Sequence, residues 1–412
     1  MAKKLPILIA LLFALLGAGG RAELAAQTEG DHLTVYLLTM GTGDAVWEKY
    51  GHNALWIRDE LRGIDRVYNY GVFDFNSPGY WSRFIKGNWL YQLAVSDMEL
   101  TLYQYGYLNR TVVAQELALT GPQKAELARF LEWNALPENR EYLYDYFRDN
   151  CSTRIRDALD RVLGGRLRQA TEGVETGTTY RWHSRRLMAG LPIVYAALNA
   201  GLGPAADRPI DAWEEMFLPE KVRERVSELT VADEQGNPRP LVRSERVLYE
   251  AVGRGPDRQA PPAWTLGFLA IGLVVAAVIG GLALLGRRSA IGRFGFAALG
   301  SLWSLLVGVG GALLVGLWAF TNHVAAHRNE NLFQFDPIAL LLTVLIPAAV
   351  YGVGWARRPT KYAAIALAGF SLLGFVLQLL PGIDQVNGEV IALILPVNVI
   401  LAWSVVGEQW KA

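Results

Sequence analysis

The sequence predicts a mixed α and β domain that faces water, followed by an all-α bundle of five membrane-spanning helices. Three observations predict it. Residues 30–250 hold most of the charge and interleave short β-branched and aromatic runs with amphipathic ones. From Trp264 onward the text changes to long apolar runs. The chain also opens MAKK, then LPILIALLFALLGAG, then Gly-Arg-Ala, the n-region, h-region and small-residue site of an export signal. The zero formal net charge over 412 residues decides nothing, because it averages a water-facing part with a membrane part.

Residues 1–22 are expected to be a signal peptide or an uncleaved anchor. No cysteine follows the apolar run, so this is not itself a lipoprotein signal. "LTVYLLT" (33–39), "NALWIRD" (53–59), "RVYNYG" (66–71), "LYQLAVS" (90–96) and "TVVAQELAL" (111–119) read as strands by their β-branched and aromatic content and partial alternation. "GPQKAELARFLEWN" (121–134) has Pro near its start and helical apolar spacing. A second helix follows Asn150, with Ile155, Ala158, Leu159, Val162 and Leu163 on one stripe, Asn150 as its cap and Gly164-Gly165 as its stop. Residues 232–262 read as loop and linker, with 251–263 leading into the membrane domain at 264–412.

The apolar runs are Trp264–Leu285, Phe294–Phe320, Pro337–Ala356, Tyr362–Leu380 and Glu389–Val406, each near the roughly 20 residues that cross about 30 Å of hydrocarbon. Arg287, Arg288 and Arg293 separate the first two, and Arg357, Arg358 and Lys361 the third and fourth; the other two loops carry only Arg328. The positive-inside rule then puts the basic loops and the C-terminus with Lys411 in the cytoplasm and the charged domain outside. This is the arrangement expected of a multi-pass membrane protein with an extracytoplasmic N-terminal domain, in agreement with the export signal.

The chain has one cysteine, Cys151, in "FRDNCSTRIRD". In an oxidising compartment it has no internal disulfide partner. It lies in the first turn of the second helix, where unpaired amides and the helix dipole favour a thiolate and could hold an oxyanion. A small buried hydrophobe is the plainer reading. Among histidines, His32 reads as solvated and His183, in "YRWHSRR", as surface or interface. His52, after Gly51 at the mouth of a strand, is placed to act as a base or to be structural. A cysteine opening a helix and a histidine opening a strand form a papain-type pair.

At these residues a resemblance becomes specific. "YLLTMGTGDAVWEKYGHNALWIRD", "YNYGVFDF", "PENREYLYDYFRDNCSTRIRDALD" and "LGG" resemble the Lnb N-terminal periplasmic domain family over roughly residues 33–190, and the apolar runs behind them resemble that family's membrane half. The family is similar to the circularly permuted papain-like enzymes, the group that includes lecithin:retinol acyltransferase. The resemblance implies an α+β permuted papain-like domain and a lipoprotein N-acyltransferase. Such an enzyme moves an acyl chain from a phospholipid, through a Cys151 thioester, to the N-terminal amine of a lipoprotein, with no cofactor.

It implies His52 as the base, with the amides of Cys151 and Ser152 holding the oxyanion. On the strand "VYNYG", Asn69 is the candidate to orient His52, with Tyr70 as runner-up; a strand-end turn residue is the plainer reading of Asn69. Asn150, Tyr70 and Arg154 are candidates for substrate contact, Arg154 through a lipid phosphate. In the outward loop "TNHVAAHRNENLFQFDP" (321–337) the resemblance points to His323, Asn329 and Asn331, which otherwise read as an interfacial loop.

Two rival functions stay open. A cell-wall cysteine peptidase or amidase would use the same pair but needs less membrane. A non-catalytic lipid- or lipoprotein-binding protein would tolerate loss of Cys151. One cysteine and scattered histidines give no support to a metal site, and no phosphate loop or basic aromatic groove supports nucleotide or nucleic-acid binding. The 42 glycines fit close helix packing, as in "GVGGALLVG".

Overall fold

The computed structural model describes residues 29–233 and 235–407, so the predicted export segment and Lys411 lie outside the described residues. The chain forms two compact units. The first comprises residues up to Tyr80, Trp89–Thr176 and Asp211–Gly255. Its centre is a seven-stranded antiparallel sheet. The strands are β1 (Leu33–Met40), β2 (His52–Asp59), β3 (Ile64–Val72), β4 (Trp89–Ser96), β5 (Val112–Leu117), β6 (Glu141–Tyr144) and β7 (Val242–Tyr249). They lie in the order β7-β5-β1-β2-β3-β4-β6.

Both faces of the sheet are covered, which explains why the central β1 reads as a near-continuous apolar run. Val35 and Leu37 enter the larger core, and Tyr36, Leu38 and Met40 the smaller one. On the larger side pack α2 (Gly121–Asn134), α3 (Cys151–Val162) and the helix Pro219–Glu228, through Leu127, Leu131, Ile155, Leu159, Val222 and Val226. On the smaller side packs α1 (Met98–Tyr107), capped by Asp97, whose carboxylate accepts the Leu100 N–H. The α2 boundary follows from a capping box between Thr120 and Gln123 with Pro in its first turn.

The five predicted strands and both predicted helices of this unit are present. Two strands of the central sheet were not legible in the sequence. β6 is only four residues long, and β7 falls where loop and linker are expected. β7 is an edge strand with alternating charges, "VRSERVLY", which pairs with β5 despite two register shifts.

The second unit comprises Trp81–Asn88, Gly177–Ile210 and Pro256 onward. It is built on α4 (Thr265–Gly286), α5 (Ala290–Phe320), α6 (Ala339–Val350), α7 (Arg357–Leu377) and α8 (Gly388–Val406). Four of these segments are long and apolar enough to cross a membrane. The predicted count of five spanning-length helices is corrected at the third: α6 has 12 residues, about 18 Å of rise. Pro347 lacks an amide for the ladder, and the chain turns at Tyr351 and Gly352.

Small residues let these helices approach. A Cβ on Gly272 would lie 2.6 Å from the Leu393 carbonyl oxygen of α8, and one on Gly308 2.6 Å from the Leu340 nitrogen of α6. Between them runs a polar chain. Trp303 donates to Asn398 Oδ1 (3.0 Å), and the Asn398 amide donates to Ser371 Oγ (2.7 Å) and the Gln334 carbonyl (3.2 Å).

Residues 177–210 carry four arginines, yet Arg181 is buried with Asp207 (2.7 Å) and Arg185 reaches the buried Glu389 (2.7 Å). Tyr195 and Asn199 also donate to that carboxylate, at 2.8 and 2.9 Å. Removing one partner of such a buried pair leaves the other uncompensated, at about 3 kcal/mol or more. Glu389→Ala should therefore lower the thermal midpoint of the detergent-solubilised protein clearly, while an exposed change such as Leu266→Ala should not.

Candidate active site

The helix α3 begins where it does because of Asn150. Its backbone is extended, and its side-chain Oδ1 accepts the N–H groups of Ser152 (2.9 Å) and Thr153 (3.0 Å). Thr153 Oγ1 accepts the Asn150 N–H in return (2.7 Å), a reciprocal cap. The amide Nδ2 donates to the carbonyls of Tyr146 (3.0 Å) and Phe217 (2.9 Å), tying the helix start to two loops of this unit. Cys151, the next residue, is 9% exposed.

His52 opens β2 opposite Met40. Its imidazole and the Asn53 backbone N–H both hydrogen-bond the Cys151 sulfur, and the Ser152 hydroxyl lies 3.8 Å from it. Burial pushes the thiol up. The charge and hydrogen bond of His52, the Asn53 amide and the Ser152 hydroxyl outweigh burial and lower it to about 7. Cys151 and His52, far apart in the chain, are therefore brought together. The imidazole stacks at 6.4 Å and 17° on Tyr105 of α1, over which Arg110 sits at 4.9 Å.

Other predicted residues are placed differently. The Asn69 amide donates to the Val67 carbonyl (3.4 Å) and Ser96 Oγ (3.3 Å), so it is engaged along β3 and β4 and makes no hydrogen bond to His52. Tyr70 is buried, with its hydroxyl donating to Asn134 (2.6 Å). Asn150 has both amide atoms committed, the oxygen to the cap and the nitrogen to Tyr146 and Phe217. Arg154 holds Asp149 through two bonds (2.5 and 2.6 Å), and its guanidinium lies 4.1 Å over the Tyr142 ring. The Ser152 amide, expected in the oxyanion site, is occupied by Asn150. The Cys151 N–H meets no acceptor among the described residues.

The remaining candidates lie in the second unit. Asn329 donates to the Ala200 and Gly201 carbonyls (2.8 and 2.9 Å), and Asn331 donates to Ala200 (2.9 Å). Both are buried, so they staple the end of the helix Pro192–Gly201 and do not present their amides to headgroups. His323 is half-buried, with its backbone against Gly87, while Asn322 bonds Lys86 and Asn88. Two other histidines differ from expectation. His183 is buried, with Nε2 at 3.1 Å from Thr178 Oγ1 and Nδ1 accepting from Arg186. His32 pairs with the buried Asp59.

Sequence reasoning missed the wall opposite the thiol. Gly71 has φ +88, and a Cβ there would meet Cys151 Cβ at 3.4 Å, a Tyr144 ring carbon at 3.8 Å and the Tyr142 hydroxyl at 4.0 Å. Only glycine keeps this space open without strain. Burial, and then the nearby thiolate, raise both tyrosines well above the usual phenol value, so both hydroxyls keep their protons. The only sequence signal was the spacing "YLYDYF" before the cysteine. The groove lined by Glu126, Arg129, Phe130, Trp133 and Arg161 is at the opposite end of α3, about 15 Å along the helix from the thiol.

Alkylation of Cys151 by iodoacetamide should follow a midpoint near pH 7. In His52→Ala the opposing groups lose their largest member, burial gains weight, and the midpoint should rise. Asn69→Ala should leave it in place; a rise equal to that of His52→Ala would restore Asn69 as the orienting group.

Residues 21–187 match the family model described as the Lnb N-terminal periplasmic domain. No curated protein and no solved structure matches the chain.

Proposed function

We propose, from the match of residues 21–187 to the Lnb N-terminal periplasmic domain model, that the chain is a membrane-bound thiol acyltransferase. It would carry an acyl chain from a phospholipid to the N-terminal amine of a bacterial lipoprotein. The observation that carries this reading is the Cys151–His52 contact, with a thiol lowered to about 7 at the start of a capped helix. Four spanning-length helices make the chain a multi-pass membrane protein, which suits a lipid donor better than a wall peptide.

In this mechanism His52 takes the thiol proton and the sulfur attacks the ester carbonyl of the phospholipid. The carbonyl pair moves onto oxygen, and the Cys151 N–H is one donor to it. The intermediate collapses, the ester C–O bond breaks, and the leaving lysophospholipid oxygen takes the proton back from His52. The lipoprotein amine then attacks the thioester, His52 accepts the amine proton and returns it to the departing sulfur. We assign the orientation of the imidazole to the ring face of Tyr105, since Asn69 is engaged with Val67 and Ser96.

The charge pattern supports a sidedness. Arg293 lies near the start of α5, and Arg357, Arg358 and Lys361 open α7. If both basic ends face the cytoplasm, the chain must return between them. We assign that return to α6, extended by the short 3₁₀ segments Glu330–Phe333 and Gly354–Ala356. On this reading the thiol domain lies in the periplasm and the end of α8 in the cytoplasm of an inner-membrane protein.

The test is the N-terminal acylation state of a reporter lipoprotein, read by mass spectrometry in a host lacking its own N-acyltransferase. An amide-linked chain added with the wild type and absent with Cys151→Ala, at matched membrane levels, is expected. A chain added with both would remove the thiol from the reaction. None with either would turn the reading toward a peptidase or a binding protein.

A further inference from the structure

The buried hydroxyl of Tyr142 has no hydrogen-bond partner among the described residues, although the residue is only 8% exposed. Buried hydroxyls are nearly always paired, so an orphan on the wall of a reactive centre calls for an explanation. Its ring is fixed. The Arg154 guanidinium lies 4.1 Å over one face, Tyr70 meets it edge-on at 6.1 Å, and β6 pairs Tyr142 with Tyr91 of β4. Its oxygen borders the space in front of Gly71, the same space that Cys151 Cβ and the Tyr144 ring border.

A tetrahedral oxyanion on Cys151 needs donors beyond one amide. The amides of Ser152 and Thr153 are committed to Asn150. That leaves the Cys151 N–H from the helix and, across the Gly71 space, one unpaired hydroxyl that keeps its proton. We infer that the Tyr142 hydroxyl is the second oxyanion donor of this centre, acting with the Cys151 N–H. The inference rests on the acyl-transfer reading above. When the sulfur bonds to the carbonyl carbon and the carbonyl pair moves to oxygen, Tyr142 donates to that oxygen. It releases it when the C–O bond breaks, with no net transfer of its proton.

The test compares two reactions of the same thiol in the full-length protein in detergent. Alkylation by iodoacetamide forms no oxyanion, whereas acylation by p-nitrophenyl butyrate does. Both adducts are read on Cys151 by intact mass. Tyr142→Phe removes only an unpaired hydroxyl, so the fold loses no hydrogen bond. Its alkylation rate and pH midpoint should equal those of the wild type, while acylation should fall roughly 100-fold, the usual effect of losing one oxyanion donor.

Equal acylation of both proteins would overturn the inference and leave the acyl-transfer reading standing. An equal fall in alkylation and acylation would also overturn it, because the hydroxyl would then act on the thiol or the fold. A wild type that alkylates but takes no acyl group would overturn the acyl-transfer reading, and the oxyanion role with it.

Discussion

The geometry of the candidate site depends on one side chain, the amide of Asn150. Its oxygen sets where α3 begins and its nitrogen fastens that beginning to Tyr146 and Phe217. Without it the first turn would present three free amides in uncertain positions, and the thiol would have no fixed place. With it, the same atoms that fix Cys151 withdraw two of those amides from any substrate. Precision at the sulfur is thus bought with donors, and the wall of the site has to supply what the helix end no longer offers.

The thiol also illustrates how opposing effects are settled. Burial alone would hold the proton on sulfur. A histidine, a backbone amide and a hydroxyl turn the balance, and a fall from 9.0 to about 7 corresponds to roughly 3 kcal/mol in favour of the thiolate. On the proposed reading, a thiol kept nine-tenths from solvent and yet ionisable near neutrality would hold a thioester shielded from water. The aromatic surroundings, Tyr105 on one side and Tyr142 and Tyr144 on the other, provide that shielding without adding charge.

Much of this was readable from residues because the signals were local. β1 to β5 declared themselves by β-branched and aromatic alternation, and α3 by its stripe and its cap. The cysteine and histidine stood out because each sits at the mouth of an element. What could not be read depends on the pleat and on pairing. Gly71 and Tyr142 matter through where the sheet places them, and nothing in "YNYG" or "REYLY" says which face each takes. β7 carries the charges of a loop because an edge strand tolerates them. Arg181, Arg185 and Arg186 look solvated in the text and are buried or nearly so, because Asp207, Glu389 and His183 receive them. The shortness of α6 follows from the turn at Tyr351 and Gly352, which composition averages away.

The polar chain linking Trp303, Asn398, Ser371 and Gln334 has a consequence for how the protein is made. Asn398 belongs to α8, which leaves the ribosome after α5, α6 and α7, yet it satisfies groups on α5, on α7 and in the segment before α6. Until α8 enters the bilayer, those earlier groups have lost water and not yet gained their partner. The helices cannot then mature one at a time; the packing of α5 to α7 stays provisional until α8 arrives. Chains interrupted before α8 would expose unpaired polar groups to lipid, a mark by which membrane quality control can tell an unfinished molecule from a finished one.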